Sequence, residues 1–292
     1  MKNSFLIFIL IIFILPSCAQ DRESALLRDV RVLSADSMMG REFGTPGNDK
    51  AQKYIVHRFK ELNLKPAFST GYLQSFKHKR KEGNNIIAMI PGETDRMIVI
   101  TAHYDHLGQK KGEIYNGADD NASGTAALFQ IAAHFQSSRP HHTLMLAALD
   151  AEESGMVGAK HLVSNFPKPL NKVVLNINLD MISHSDRGEL YACGTHYYPQ
   201  LKAPIANINT PVTLKFGHCS PEYKGSDNWT YSSDHKEFHK KEIPFVYFGV
   251  EDHEDYHEPS DTYENINHTF YENVVDFLVK AIEAYDSSDV FK

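Results

Sequence analysis

The chain of 292 residues carries 30 basic and 37 acidic side chains, a formal charge of −7. With 42% hydrophobic and 23% charged residues, it has the make-up of a folded soluble protein with room for a sizeable core. This balance argues against nucleic acid as a partner, because phosphate binding needs a concentrated positive surface. The short basic stretch from Lys77 to Lys81 reads as a solvated turn.

The first element in chain order is a targeting segment rather than part of the fold. Lys2 precedes an unbroken apolar stretch, Phe5 to Leu15, followed by Pro16, Ser17, Cys18 and Ala19. That stretch suits a signal-peptide core and falls short of the roughly 20 residues a spanning helix needs. Leu15-Pro16-Ser17-Cys18 resembles the lipobox of bacterial lipoproteins, which implies cleavage of residues 1–17 and lipidation of Cys18. A conventional cut after Ala19 is the alternative. The expected location is the periplasm or the outer membrane of a bacterium, otherwise the secreted fraction. Any membrane contact would run through a lipid anchor at Cys18.

Residues 18–45 form a lead-in expected to pack on the domain that follows. Asn48 is placed to cap a helix running to about Leu62, with Ala51, Tyr54, Ile55, Phe59 and Leu62 on its apolar face. Short apolar runs then alternate with helical patterns. Strands are expected at Asn85 to Ile90, Met97 to Thr101, Thr143 to Leu149, Val173 to Leu179 and Glu189 to Cys193. Two more are expected near Val212 to Phe216 and Pro244 to Phe248. Helices are expected at Asn121 to Ser137, Ser154 to Asn165, near Gln200 to Ile208, and from about Thr269 to Tyr285. Continuous apolar strands separated by helices predict a three-layer α/β/α fold around a mixed, mostly parallel sheet. The polar segment Gly217 to His235 reads as a long loop of the kind that lines a site. Cys193 and Cys219 are either a disulfide or two buried thiols. With no CxxC, a thiolate zinc site is not expected.

The chemistry gathers where strands end. Met97 to Thr101 runs into His103-Tyr104-Asp105, Thr143 to Leu149 into Asp150-Ala151-Glu152-Glu153, and Val173 to Leu179 into Asp180. Gly117-Ala118-Asp119-Asp120-Asn121 enters a helix, and Asp255-Tyr256-His257 follows the Pro244 strand. Any one of these carboxylates could simply solvate a chain exit or cap a helix. Several converging on the crevice at the carboxyl ends of the strands would repel one another without a cation. A site of His and carboxylate donors fits zinc or a similar divalent ion.

In order, His103-Tyr104-Asp105, Gly117 to Gly124, Ala151-Glu152-Glu153-Ser154-Gly155, Asn178-Leu179-Asp180-Met181 and Tyr256 to Thr262 resemble the five motifs of the co-catalytic zinc aminopeptidases. That family includes bacterial leucyl aminopeptidases, the catalytic domain of glutamate carboxypeptidase II and glutaminyl cyclases. Supporting similarity lies at Gly40-Arg41, Gly44 to Gly47, Ser233-Asp234-His235 and Ile243-Pro244. The resemblance implies that residues 46–292 form a single catalytic peptidase domain holding two zinc ions. Asp120 would bridge them, His103 and Asp180 would complete one, and Glu153 and His257 the other. Asp105 would hold the His103 ring in its metal-binding tautomer. Glu152 would be the general base for a water shared between the ions, and Tyr256 would steady the developing oxyanion. The Asp120-Asn121 peptide is expected to be cis. The implied substrates are peptides with a free N-terminus. A glutaminyl-peptide cyclotransferase with one zinc is the alternative, and a non-catalytic binding module would require ligands to be lost, which none is. His134, His141, His142, His161, His184 and His235 read as bystanders.

Overall fold

The computed structural model describes residues 23–291; the expected targeting segment and Cys18 lie outside the described residues. Among the described residues, six α-helices and eleven strands follow one another in chain order. Helices α1 (Ala25–Leu33) and α2 (Pro46–Glu61) lead into β1 (Lys65–Pro66), β2 (Leu73–His78), β3 (Lys81–Ile90) and β4 (Met97–His103). The small hairpin of β5 (Gly108–Lys110) and β6 (Glu113–Tyr115) precedes α3 (Gly124–Ser137), β7 (Thr143–Leu149) and α4 (Val157–Ser164). The chain continues through β8 (Val173–Leu179), β9 (Glu189–Cys193), β10 (Thr213–Phe216), α5 (His235–His239), β11 (Phe245–Gly249) and α6 (His268–Asp286).

The main sheet runs β1-β3-β7-β4-β8-β11-β9-β10, with β2 also on β3. Its centre, β7-β4-β8-β11, is parallel, whereas β3 joins β7 and β9 joins β11 antiparallel. The expected mixed sheet is thus parallel where it is most apolar and antiparallel toward its flanks. Every residue of β4, β7 and β8 is buried. Alternation along these strands divides the core between the two faces. Ile98, Ile100, Leu144, Leu146, Leu175 and Ile177 pack with residues of α1, α2, α3 and α6. Val99, Met145 and Ala147 face the other way, onto Ala159 and Leu162 of α4 and Phe238 of α5. At about 1.5–3 kcal/mol for each large aliphatic side chain removed from water, this two-sided burial fixes the register of the central strands.

Several local expectations change. Thr45 rather than Asn48 caps α2, because Pro46 takes the first helical position, where its missing N–H costs nothing. The helix expected near Gln200 to Ile208 shrinks to the single 3₁₀ turn Pro199–Leu201 and turns beyond it. Leu201, Ile205 and Ile208 repeat at helical spacing, but Pro204, Asn207 and Asn209 interrupt the stretch. The edge strand β2 went unread from sequence because only Gln74 and Phe76 of it are buried.

The lead-in makes one contact that reaches the centre of the molecule. Arg41 is fully buried, and its guanidinium donates to the main-chain carbonyls of Leu33, Tyr104, Asn116 and Gly117 at 2.6–2.8 Å. It ties α1 to the turn after β4 and to the loop before α3. Arg41→Ala leaves these carbonyls without a donor and opens a cavity. We expect it to destabilise the fold by about 3–5 kcal/mol, read as a lowered midpoint of chemical denaturation. An unchanged midpoint would remove Arg41 from this role.

Candidate active site

Parallel pairing brings the ends of β7, β4, β8 and β11 to one edge of the sheet, with His103 opposite Leu149 and Phe248 opposite Leu179. Each exit turns sharply there. Ala151 and Met181, beside the acidic residues of their loops, and His257 itself all have left-handed φ of 55–59°. Such backbone is held only where surrounding contacts over-determine it, and it aims the neighbouring side chains across the edge rather than away from it. Gly117 opens the fourth loop at φ 59°, where a Cβ would sit 2.2 Å from the Asp120 carbonyl oxygen. The Asp120-Asn121 peptide is cis.

The five sequence-predicted ligands meet in one cleft. The two oxygens of Asp120 face different neighbours: Oδ1 lies 3.3 Å from His103 Nε2, and Oδ2 lies 3.1 Å from His257 Nε2. His103 Nε2 is also 3.1 Å from Asp180 Oδ1, and His257 Nε2 is 3.6 Å from Glu153 Oε1. One carboxylate therefore stands between two His–carboxylate pairs. The backbone before it is braced by Asp261, whose oxygens accept from the N–H groups of Asp119 and Asp120 at 2.8 and 3.0 Å.

The surroundings of this cluster have the chemistry of a cation site. His106 Nε2 is buried without a hydrogen-bond partner among the described residues, and His106 Nδ1 and Glu153 Oε1 are buried 3.0 Å apart without forming a well-aligned hydrogen bond. Orphaned polar atoms of this kind are rare in a core, and several facing one point ask for an ion. His103, Asp120 and Asp180 form one group able to hold a metal, and His106, Asp120 and Glu153 form another. The residues present thus fit divalent-ion binding by N and O donors. Burial works against the charge of Asp120, yet the histidines at positions 106, 103 and 257 hold its carboxyl well below the usual range. Glu153 is likewise drawn down to about 2 by His106 and His257, against its burial and the like charge of Asp120.

His106 was missed in the sequence. It stands three residues after His103 and lies 3.0 Å from Glu153 Oε1 and 3.6 Å from Asp120 Oδ2. The only signal for it was the His-x-x-His spacing at a strand exit.

Asp105 takes a broader position than expected. His103 Nδ1 bonds the Asp105 main-chain carbonyl at 3.1 Å, while the carboxylate lies 3.7 Å from that nitrogen. The carboxylate oxygens accept from the N–H groups of Glu152 and Glu153 at 3.0 and 3.3 Å. One residue therefore orients the His103 ring and anchors the acidic turn after β7.

Glu152 lines the cleft without joining either ligand group. Burial, with the like charges of Asp234, Asp180 and Glu153, holds its carboxyl well above the ordinary range. Tyr256 also lines the cleft, its ring stacked on His257 at 3.9 Å. The cleft, of about 320 Å³, has Met181, Trp229, Tyr247 and Val250 as apolar wall and Asp252 at its rim. Trp229, Ser226 and Ser232 come from the long loop after β10, as anticipated. The 250–257 loop lines it as well.

Other polar residues fall elsewhere. His235 is buried between Phe245 and Tyr247, its Nε2 2.9 Å from the Trp229 carbonyl. His142 bonds Asp286 at the end of α6. Cys193 and Cys219 are buried free thiols in the apolar cluster around Trp229. His184 joins His253 and Asp255 in a separate group. Among the described residues, no helix is long and apolar enough to cross a membrane.

Residues 85–282 match peptidase family M28, and the chain belongs to that family. Among curated proteins, it is 26% identical to aminopeptidase YwaD of Bacillus subtilis over 264 residues, which is 84% of this chain and 52% of that protein. It is 27% identical to the alkaline phosphatase isozyme conversion protein of Escherichia coli over 169 residues, 51% of this chain and 48% of that one. The chain spans about half or less of the length of the first curated relatives it matches. Among solved structures, its fold is that of BSAP, a zinc aminopeptidase from Bacillus subtilis. The TM-score is 0.70 at 16% identity, covering 91% of this chain and 96% of that one. A glutaminyl cyclase from Bacteroides thetaiotaomicron, bound to N-acetylhistamine, is equally similar, with TM-score 0.70, 16% identity, and coverage of 89% and 96%.

Proposed function

We propose that the protein is a zinc aminopeptidase that holds two ions and removes the N-terminal residue of peptides. The observation that carries this reading is the position of Asp120, with one oxygen on the His103–Asp180 side and the other on the His257–Glu153 side. Membership of the M28 family and the resemblance of the five motifs support it. When bound, the two ions supply Lewis acidity and make a water acidic enough to react near neutral pH.

The chain's own residues would do the rest. Glu152, which belongs to neither ligand group, takes the proton of the attacking water and returns it to the leaving amine. Tyr256, which lines the cleft, would donate its O–H to the oxyanion as charge develops there. The cleft sits at the low end of ligand-site volumes, which suits a chain terminus better than a long peptide. Its apolar wall suits an apolar terminal side chain, and Asp252 at the rim favours a free ammonium over a blocked one. Export is part of the same proposal, on the strength of Lys2 and the apolar stretch Phe5 to Leu15.

The cyclase reading shares this fold, so the fold does not separate the two. The presence of both ligand pairs favours hydrolysis. Metal-replete protein assayed in parallel on free-amine, N-acetylated and Gln-initiated peptides tests the choice. Release of the terminal residue from free-amine peptides alone is expected. Ring closure of Gln-initiated peptides without hydrolysis would replace the aminopeptidase reading with the cyclase.

A further inference from the structure

A second group of metal-ligating side chains lies outside the cleft. Because β8 and β11 are parallel neighbours, the loops that leave them, Asp180 to Arg187 and Val250 to His257, run side by side. His184 from the first and His253 from the second stack with ring centroids 4.0 Å apart and planes at 27°. Asp255 Oδ2 lies 3.6 Å from His184 Nδ1, and ligand atoms from the three residues all fall within 4.8 Å of one another. The side chains of His184, His253 and Asp255 are only 9–10% exposed.

Two observations set this group apart from a surface cluster. The Nδ1 atoms of His184 and of His253 are both buried without a hydrogen-bond partner among the described residues. The other nitrogen of His253 is already committed: Nε2 lies 3.0 Å from Asp119 Oδ2. Asp119 is in turn held by the N–H and hydroxyl of Ser183 at 2.6 and 2.7 Å. A carboxylate on the outer nitrogen of an imidazole places the proton there and leaves the inner nitrogen with a free lone pair, as in the carboxylate–histidine–metal arrangement. The lone pair on His253 Nδ1, beside the Asp255 carboxylate and the unpartnered His184 Nδ1, suits a cation. A cavity of about 440 Å³ adjoins the group and leaves room for water as a further ligand.

We propose that His184, His253 and Asp255 hold a third divalent ion of the zinc class. The site shares no ligand with the pair at Asp120. It fastens the loop that carries His257 to the loop after β8 and, through Asp119, to the residue beside Asp120. Its ion therefore acts as a clamp on the geometry of the catalytic pair.

The test is a metal count. The full chain is stripped with a chelator, re-equilibrated with zinc chloride, desalted and analysed for zinc per chain, with circular dichroism as a check on folding. Wild type is expected to bind three ions, and His184→Ala and Asp255→Asn two each. Asp120→Asn is expected to keep the third ion while losing ions at the cleft. Asp255→Asn preserves shape, so it carries the comparison if His184→Ala does not fold. A wild-type count that neither His184→Ala nor Asp255→Asn lowers overturns the proposal, whereas a wild-type count of two that both variants lower to one leaves the third site standing with a single ion at the cleft. If those two variants each lose one ion while Asp120→Asn loses none, the third site stands and the two-ion reading of the cleft falls instead.

Discussion

Glu152→Gln is expected to lower peptide hydrolysis by about 10²–10⁴-fold while leaving the zinc content of the protein unchanged. The two halves of that expectation have separate causes. Gln keeps the volume and the main-chain contacts of Glu152, whose carbonyl accepts from Gly155 and Met156 and whose N–H donates to Asp105. It cannot, however, take up a proton at working pH. The side chain belongs to neither ligand group, so the ions keep their donors. Steady-state turnover on a free-amine peptide, with zinc analysis of the same sample, reads both halves. Wild-type turnover would sink the base assignment, and loss of zinc would mean that Glu152 is a ligand.

Asp120→Asn should do the opposite, removing metal first and activity as a consequence. The amide keeps the shape but replaces a carboxylate oxygen with a donor N–H₂ and removes the one anion that faces both His103 and His257. Each ion would keep ligands on its own side, His103 with Asp180 and His257 with Glu153, but lose the shared one. Even partners that only orient a ligand are worth 10–100-fold in metal affinity, so losing the bridging ligand should cost at least about 100-fold. Competition with a chelator of known zinc affinity measures this directly. Full occupancy at the cleft under the conditions that load wild type would contradict the bridging role.

Much of the centre of the molecule was legible because its strands are continuous apolar runs. Thr143 to Leu149, Val173 to Leu179 and Glu189 to Cys193 appear as strands with the bounds read from sequence. Packing from both faces leaves the first two no other stable place, while Glu189 to Cys193, next to the edge strand, is only partly buried. Amphipathic or weakly patterned pieces were less legible. Strand β2 and the turns after Tyr198 depend on neighbours that local sequence does not name.

The candidate site divides in the same way. His103, Asp120, Glu152, Glu153, Asp180, Tyr256 and His257 were identifiable by residue type at strand and loop ends, together with the order of the five motifs. The chain by itself thus determined which chemistry is present: acids and imidazoles without thiolates, at the exits of a parallel sheet. Only the tertiary structure decided how those groups share a centre. It placed His106 against Glu153, turned Asp105 into the anchor of the acidic turn, and brought His184 beside His253 across 69 positions of sequence. The reason is that ligand geometry depends on which strand ends become neighbours. That is set by parallel pairing over long sequence separations, and the spacing of residues along one chain does not encode it.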